Sequence, residues 1–109
     1  MEARSNLPWS ERFRLVAEEW VELDKAANIL EETKTLALSQ RIKALGDMPH
    51  NRAEAEVKAS PEWHDHIVKM VEARSAANTK KMHLEVIRMR FMEWQSENAS
   101  RRAEMRLTA

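Results

Sequence analysis

The sequence predicts an all-α protein: a long antiparallel helical hairpin, coiled-coil-like, that self-associates into a four-helix bundle. Three observations carry this expectation. The 109 residues contain one Gly, three Pro, two Phe and no Tyr, with 33% charged side chains; turn and strand formers are depleted while helix formers dominate. Apolar residues recur at alternating spacings of three and four over two long stretches, the period of a helix face. The pattern V-E-x-x-x-A-A-N occurs twice, as "VELDKAAN" at 21–28 and "VEARSAAN" at 71–78.

A chain of this length predicts one domain, residues 1–109. Its first helix is placed over about residues 9–45. Ser10 is the candidate cap, and Phe13, Val16, Trp20, Leu23, Ala27 and Leu30 form a heptad seam. The seam shifts phase into Leu38, Ile42 and Leu45, as a stutter does. Gly46 and Pro49 then supply a stop.

Residues 46–60 form the connection. Asn51 and Glu54 have capping-box spacing, which suggests a short helix within it. The second long helix, 61–107, starts at "SPEW", with Ser60 as N-cap and Pro61 at the first helical position, where a missing N–H costs nothing. Met70, Ala77, Leu84, Ile87, Phe91 and Trp94 mark its seam.

Antiparallel pairing with a reversal near residue 53 makes contacting residue numbers sum to about 105. Phe13 then faces Phe91, Trp20 faces Leu84, Leu38 faces Ile67, and Trp9 lies near Trp94. The small Ala-Ala-Asn segments meet in the middle, permitting close approach. Asn28 and Asn78 are the register- or oligomer-setting candidates, as single polar residues are in coiled coils; solvated positions at the seam's edge are the bland alternative.

A second apolar stripe, Met82, Val86 and Met89, lies on the far side of the second helix, about 150° from the seam at 100° per residue. Leu15, Ile29 and Leu36 repeat this more faintly on the first helix. A bare hairpin leaves both stripes wet, so a homodimer or higher homo-oligomer is expected. The joint is long enough for the halves to pair within one chain or to swap between chains. The Trp and Met content also suits a groove for a protein partner, although the bundle core and its dimer seam explain the helical spacing better.

Formal net charge is zero, yet residues 1–65 carry four excess negative charges and 66–109 four excess positive ones (9 Lys/Arg against 13 Asp/Glu, then 9 against 5). That asymmetry favours pairing of the halves and offers a surface for polyanions. Lys80, Lys81, Arg88, Arg101 and Arg102, with Arg90 and Arg106, are the candidate nucleic-acid contacts. Glu85, Glu93, Glu97 and Glu104 interleave with them and can neutralise them as helix salt bridges.

Motifs for catalysis are lacking. There is no Cys, no Gly-rich phosphate loop and no Glu-x-x-His on either long helix. In "EWHDH", Glu62 and His66 share a helical face, but His64 does not converge with them, and acids at a helix N-terminus are explained by its dipole. No enzyme activity, metal or cofactor is expected. No apolar run reaches the roughly 20 residues of a membrane span, and "MEARSNLPW" lacks a signal peptide's apolar stretch, so the expected location is cytoplasmic, without membrane contact.

The stretch "EARSAANTKKMHLEVIRMRFMEWQSENASRRAEM" resembles small helical proteins encoded by bacteriophages and prophages, a likeness covering residues 60–107. The resemblance implies an accessory role near DNA metabolism and brings no catalytic residue. The secreted helical hairpins of the WxG type are excluded, because Trp63 is followed by His64 and Asp65. The expected function is a non-catalytic, oligomeric binding or scaffolding module. The alternative is accessory nucleic-acid binding through the basic second helix.

Overall fold

The computed structural model describes residues 2–108, the side chains of Glu2 and Ala3 excepted. All regular structure among the described residues is helical: α1 (Glu2–Ser5), α2 (Trp9–Glu32), α3 (Lys34–Ala44), α4 (His50–Lys58) and α5 (Pro61–Thr108). The chain forms two compact units. One combines the stretch up to Trp20 with that from Thr79 onward; the other is Val21–Asn78.

In the first unit, Val16 and Leu84 are buried. Trp9 meets Phe91 with ring centroids 6.1 Å apart, and Phe91 in turn stacks on Trp94 at 6.1 Å. Further along α2, Glu19 pairs with Lys80 at 2.5 Å. As α2 advances from Trp9 to Glu19, its partners on α5 recede from Phe91 to Lys80, so these stretches run antiparallel. The contacts sum to about 100 rather than 105. Trp9 therefore stacks toward Phe91, and Trp94 lines the same groove on the far side of that ring.

The start of α2 also differs from expectation. Pro8 takes the capping position, its carbonyl accepting the amides of Glu11 and Arg12 at 3.0 Å each, and Ser10 lies inside the first turn. Arg12 ties the preceding turn to this helix start. Its guanidinium folds back onto the Leu7 carbonyl at 2.8 Å and also onto that of Ser5, while lying 4.3 Å from the Trp9 ring centroid.

In the second unit, α2 ends at Glu32 and α3 begins after one residue, Thr33, with φ −94° and ψ 4°. The Thr33 hydroxyl donates to the Ile29 carbonyl at 2.6 Å. The Ile29 carbonyl also accepts the Thr33 amide at 3.0 Å, and the Thr33 carbonyl accepts that of Ala37 at 2.9 Å, so the ladder continues while Thr33 departs from helical dihedrals where the apolar pattern changes phase. Helix α3 ends as the sequence predicts: Gly46 adopts φ 78°, the left-handed conformation that glycine alone adopts without strain, and its amide reaches the Lys43 carbonyl at 3.2 Å.

Helix α4 packs against α3 and buries Ala53 and Val57. Its cap is Pro49, one residue before the helix start at His50, so Asn51 is already helical. The Asn51–Glu54 box does not form; Glu54 is engaged with Lys58 at 2.8 Å and lies 3.6 Å from His50. The expected cap of α5 is present. Ser60 Oγ accepts the Trp63 amide at 3.2 Å and Pro61 opens the helix. Trp63, which the seam reading left out, is only 6% exposed and stacks on His66 at 5.2 Å.

Candidate interaction surfaces

The repeat at 21–28 and 71–78 lies wholly in the second unit, and its two copies have the same burial profile. Positions 23, 24, 73 and 74 are half-buried, Ala27 and Ala77 are fully buried, and every other position is exposed. Of each Ala-Ala pair, then, the second residue is a packing requirement and the first is not.

The polar centre of this region is Arg74. Its Nη1 donates to Asp24 Oδ1 at 2.6 Å, its Nη2 to Asn28 Oδ1 at 2.7 Å, and its Nη2 and Nε grip both oxygens of Glu31 at 2.8 and 2.9 Å. Asn28 Nδ2 closes the ring by donating to Asp24 Oδ2 at 3.3 Å. The hydrogen bonds from Arg74 hold the Glu31 carboxyl below its ordinary pKa, and those carboxylates raise the Arg74 guanidinium in turn.

Both asparagines are exposed, but Asn28 belongs to this ion-pair network, and no hydrogen bond joins it to Asn78 among the described residues. Arg74 was absent from the sequence candidates, yet a signal for it existed. Asp24 and Arg74 occupy matching positions of the repeat, and opposite charges at matching positions of an antiparallel pair are natural partners.

The exposed apolar residues of α5 in the first unit include Met82 (63% exposed), Val86 (39%) and Met89 (59%). Buried Leu84 lies about 160° away from Val86 by the helical count of 100° per residue, so the stripe faces away from the seam. Elsewhere in this unit, Trp9, Phe13, Ile87, Phe91 and Trp94 line an open groove of about 830 Å³, with Arg88 among its walls. Phe13 and Trp94 stay 43% and 46% exposed there. The groove offers apolar contact, the Arg88 guanidinium and Ser10.

The basic candidates divide into engaged and free groups. Lys80 is held by Glu19, whose carboxyl is lowered by hydrogen bonds first from Lys80 and then from Arg4. Arg88 lies 4.0 Å from Glu85. Lys81, Arg101 and Arg102 are exposed, with no ion-pair partner among the described residues.

No group of three His, Cys, Asp or Glu side chains that could hold a metal ion occurs among the described residues, so Glu62 and His66 gain no further ligand. His66 instead lies flat on Trp63, with its Nε2 buried and lacking a hydrogen-bond partner. No described helix is long and apolar enough to cross a membrane. No family model matches this chain, and no match was found among curated proteins or solved structures.

Proposed function

We propose that this protein is a non-catalytic helical binding or scaffolding module that works as a homo-oligomer, two antiparallel hairpins closing into a four-helix bundle. One observation carries the reading: Met82, Val86 and Met89 form an exposed stripe on α5, opposite the side that α5 buries. Three large apolar side chains in register on one helix face favour a second apolar surface over water. The aromatic groove of the first unit is the natural place for a protein partner, since aromatic-lined clefts anchor helical ligands.

Gel filtration coupled to light scattering tests the reading. The expected mass is at least twice 12.7 kDa, falling to the monomer value when Met82→Glu and Val86→Glu are combined. A native protein that stays at 12.7 kDa at every concentration refutes it.

A second reading, nucleic-acid binding, rests on the exposed Lys81, Arg101 and Arg102, which have no ion-pair partner among the described residues. The resemblance of residues 60–107 to phage-encoded helical proteins supports an accessory role of this kind. It predicts affinity for DNA or RNA that falls steeply with salt and after Lys81→Glu with Arg88→Glu. Absence of binding at low salt removes it.

A further inference from the structure

The self-association proposed above leaves open how two copies lie against each other, and the charges beside the stripe decide it. We infer that α5 pairs in parallel with α5 of a second copy along Met82, Val86 and Met89, with the orientation set by Glu85 and Arg90; this rests on the proposed self-association. The spacings from Met82 to Val86 to Met89 are four and three, a d-a-d run of a heptad seam. Glu85 then occupies the g position just before Val86, and Arg90 the e position just after Met89.

In a parallel pair, a g residue meets the e residue five places further along the other chain. Glu85 therefore faces Arg90 of the second copy, and symmetry makes the pair twice. Both groups are available. The nearest cation to Glu85 within the chain is Arg88 at 4.0 Å, and Arg90 has no ion-pair partner among the described residues.

Antiparallel registers lack this pairing. Setting Val86 against Met82 of the second copy brings Glu85 against Glu85 and His83 against His83; setting it against Met89 brings Glu85 against Met92 and His83 against Arg90, so no acid meets a base in either. Opposite charges beside an apolar seam thus select one orientation by penalising the other.

The seam is short. Glu93 occupies the next a position after Val86, where a carboxylate cannot be buried cheaply. The exposed surface of Met82, Val86, Met89 and Met92 comes to roughly 800 Å² over two copies, below the ~1,200 Å² of stable specific interfaces. The pair is therefore concentration-dependent, and a change in flanking charge shifts its equilibrium visibly.

The chain has no cysteine, so a single introduced thiol reports orientation cleanly. Met89, a d position inside the seam, is exposed. In the parallel pair, Met89→Cys meets its own copy within disulfide reach, whereas in the antiparallel registers it faces Thr79 or Val86, and mild oxidation of the parallel pair yields a covalent dimer. Sedimentation equilibrium should show Glu85→Arg weakening the dimer about tenfold, with Glu85→Arg/Arg90→Glu restoring it. A dimer that neither cross-links through Met89→Cys nor responds to Glu85→Arg overturns the parallel pairing while leaving self-association intact. A native protein that is monomeric throughout overturns both.

Discussion

Replacing Ala77 by Leu probes the central packing claim, because its neighbour provides an internal control. Ala77 is fully buried and Ala76 is exposed, although both belong to the same Ala-Ala pair on α5. Leucine adds three heavy atoms at a site with no surface left to expand into. Overpacking of that size costs roughly 1–3 kcal/mol, because neighbouring side chains or the backbone must shift. At Ala76 the same change projects into solvent and costs only ~0.2 kcal/mol of helix propensity.

A small domain loses about 4–8 °C in melting temperature per kcal/mol. Ala77→Leu should therefore melt at least ~4 °C below the wild type, and Ala76→Leu within ~2 °C of it. Thermal unfolding followed by circular dichroism at fixed protein concentration measures both. Since Ala27 is also fully buried, Ala27→Leu against Ala26→Leu should reproduce the contrast. Equal melting temperatures for the buried and exposed members of either pair would refute the claim that the repeat is a packing motif.

Other consequences follow from single residues. Gly46→Ala should cost about 1 kcal/mol in chemical denaturation: nothing lies within 4 Å of the added methyl group, so the loss is wholly that of the left-handed backbone. Leu84→Ala, at a buried position of the first unit, should cost about 2–3 kcal/mol, with an unchanged denaturant slope if the unfolding stays two-state.

Acid should destabilise the fold. The carboxyls of Glu19, Glu31 and Glu54 are all held below 4.5 by hydrogen bonds from Lys80, Arg74 and Lys58 respectively. Groups depressed in the folded state contribute stability that is fully present above the unfolded value and is lost as pH falls through the folded one. The melting temperature should be level from pH 7 to about 5 and drop below about 4.5, and Arg74→Gln should make the drop shallower. Because these pairs are largely exposed, added salt should weaken the effect.

Helix content and much of the helix placement follow from local chemistry legible in one dimension. The three-and-four spacing, the Ser60–Pro61 start and the Gly46 stop each act through residues within a turn of one another. Where two local signals compete, the sequence is less decisive. Both Pro8 and Ser10 can open α2; it opens after Pro8, and Arg12 folds back over Trp9 onto the Leu7 carbonyl. At the start of α4, Pro49 caps, and Glu54 turns to Lys58 instead of back to Asn51.

The repeat shows where sequence reading stops. Its spacing places two Ala-Ala-Asn segments on helices, and a helix period separates the faces of Ala26 and Ala27. Which alanine is buried depends on the rotation of each helix against its neighbours, set by all the side chains in the packed unit. The two asparagines make the same point. They match in sequence and are both exposed, yet it is Asn28 that accepts from Arg74.

By itself, then, the sequence determined that this chain is helical, that α3 stops at Gly46 and α5 starts at Ser60–Pro61, and that α5 carries apolar residues on two faces. These follow from backbone propensity, capping and the 3.6-residue period, all short-range effects. Only the tertiary structure decided that Trp9 meets Phe91, that Thr33 interrupts the first long helix, and that Arg74 binds Asp24, Asn28 and Glu31 together. The Trp9 and Arg74 contacts join residues more than forty positions apart, and a shift of one turn between helices exchanges every such partner while leaving the local pattern unchanged.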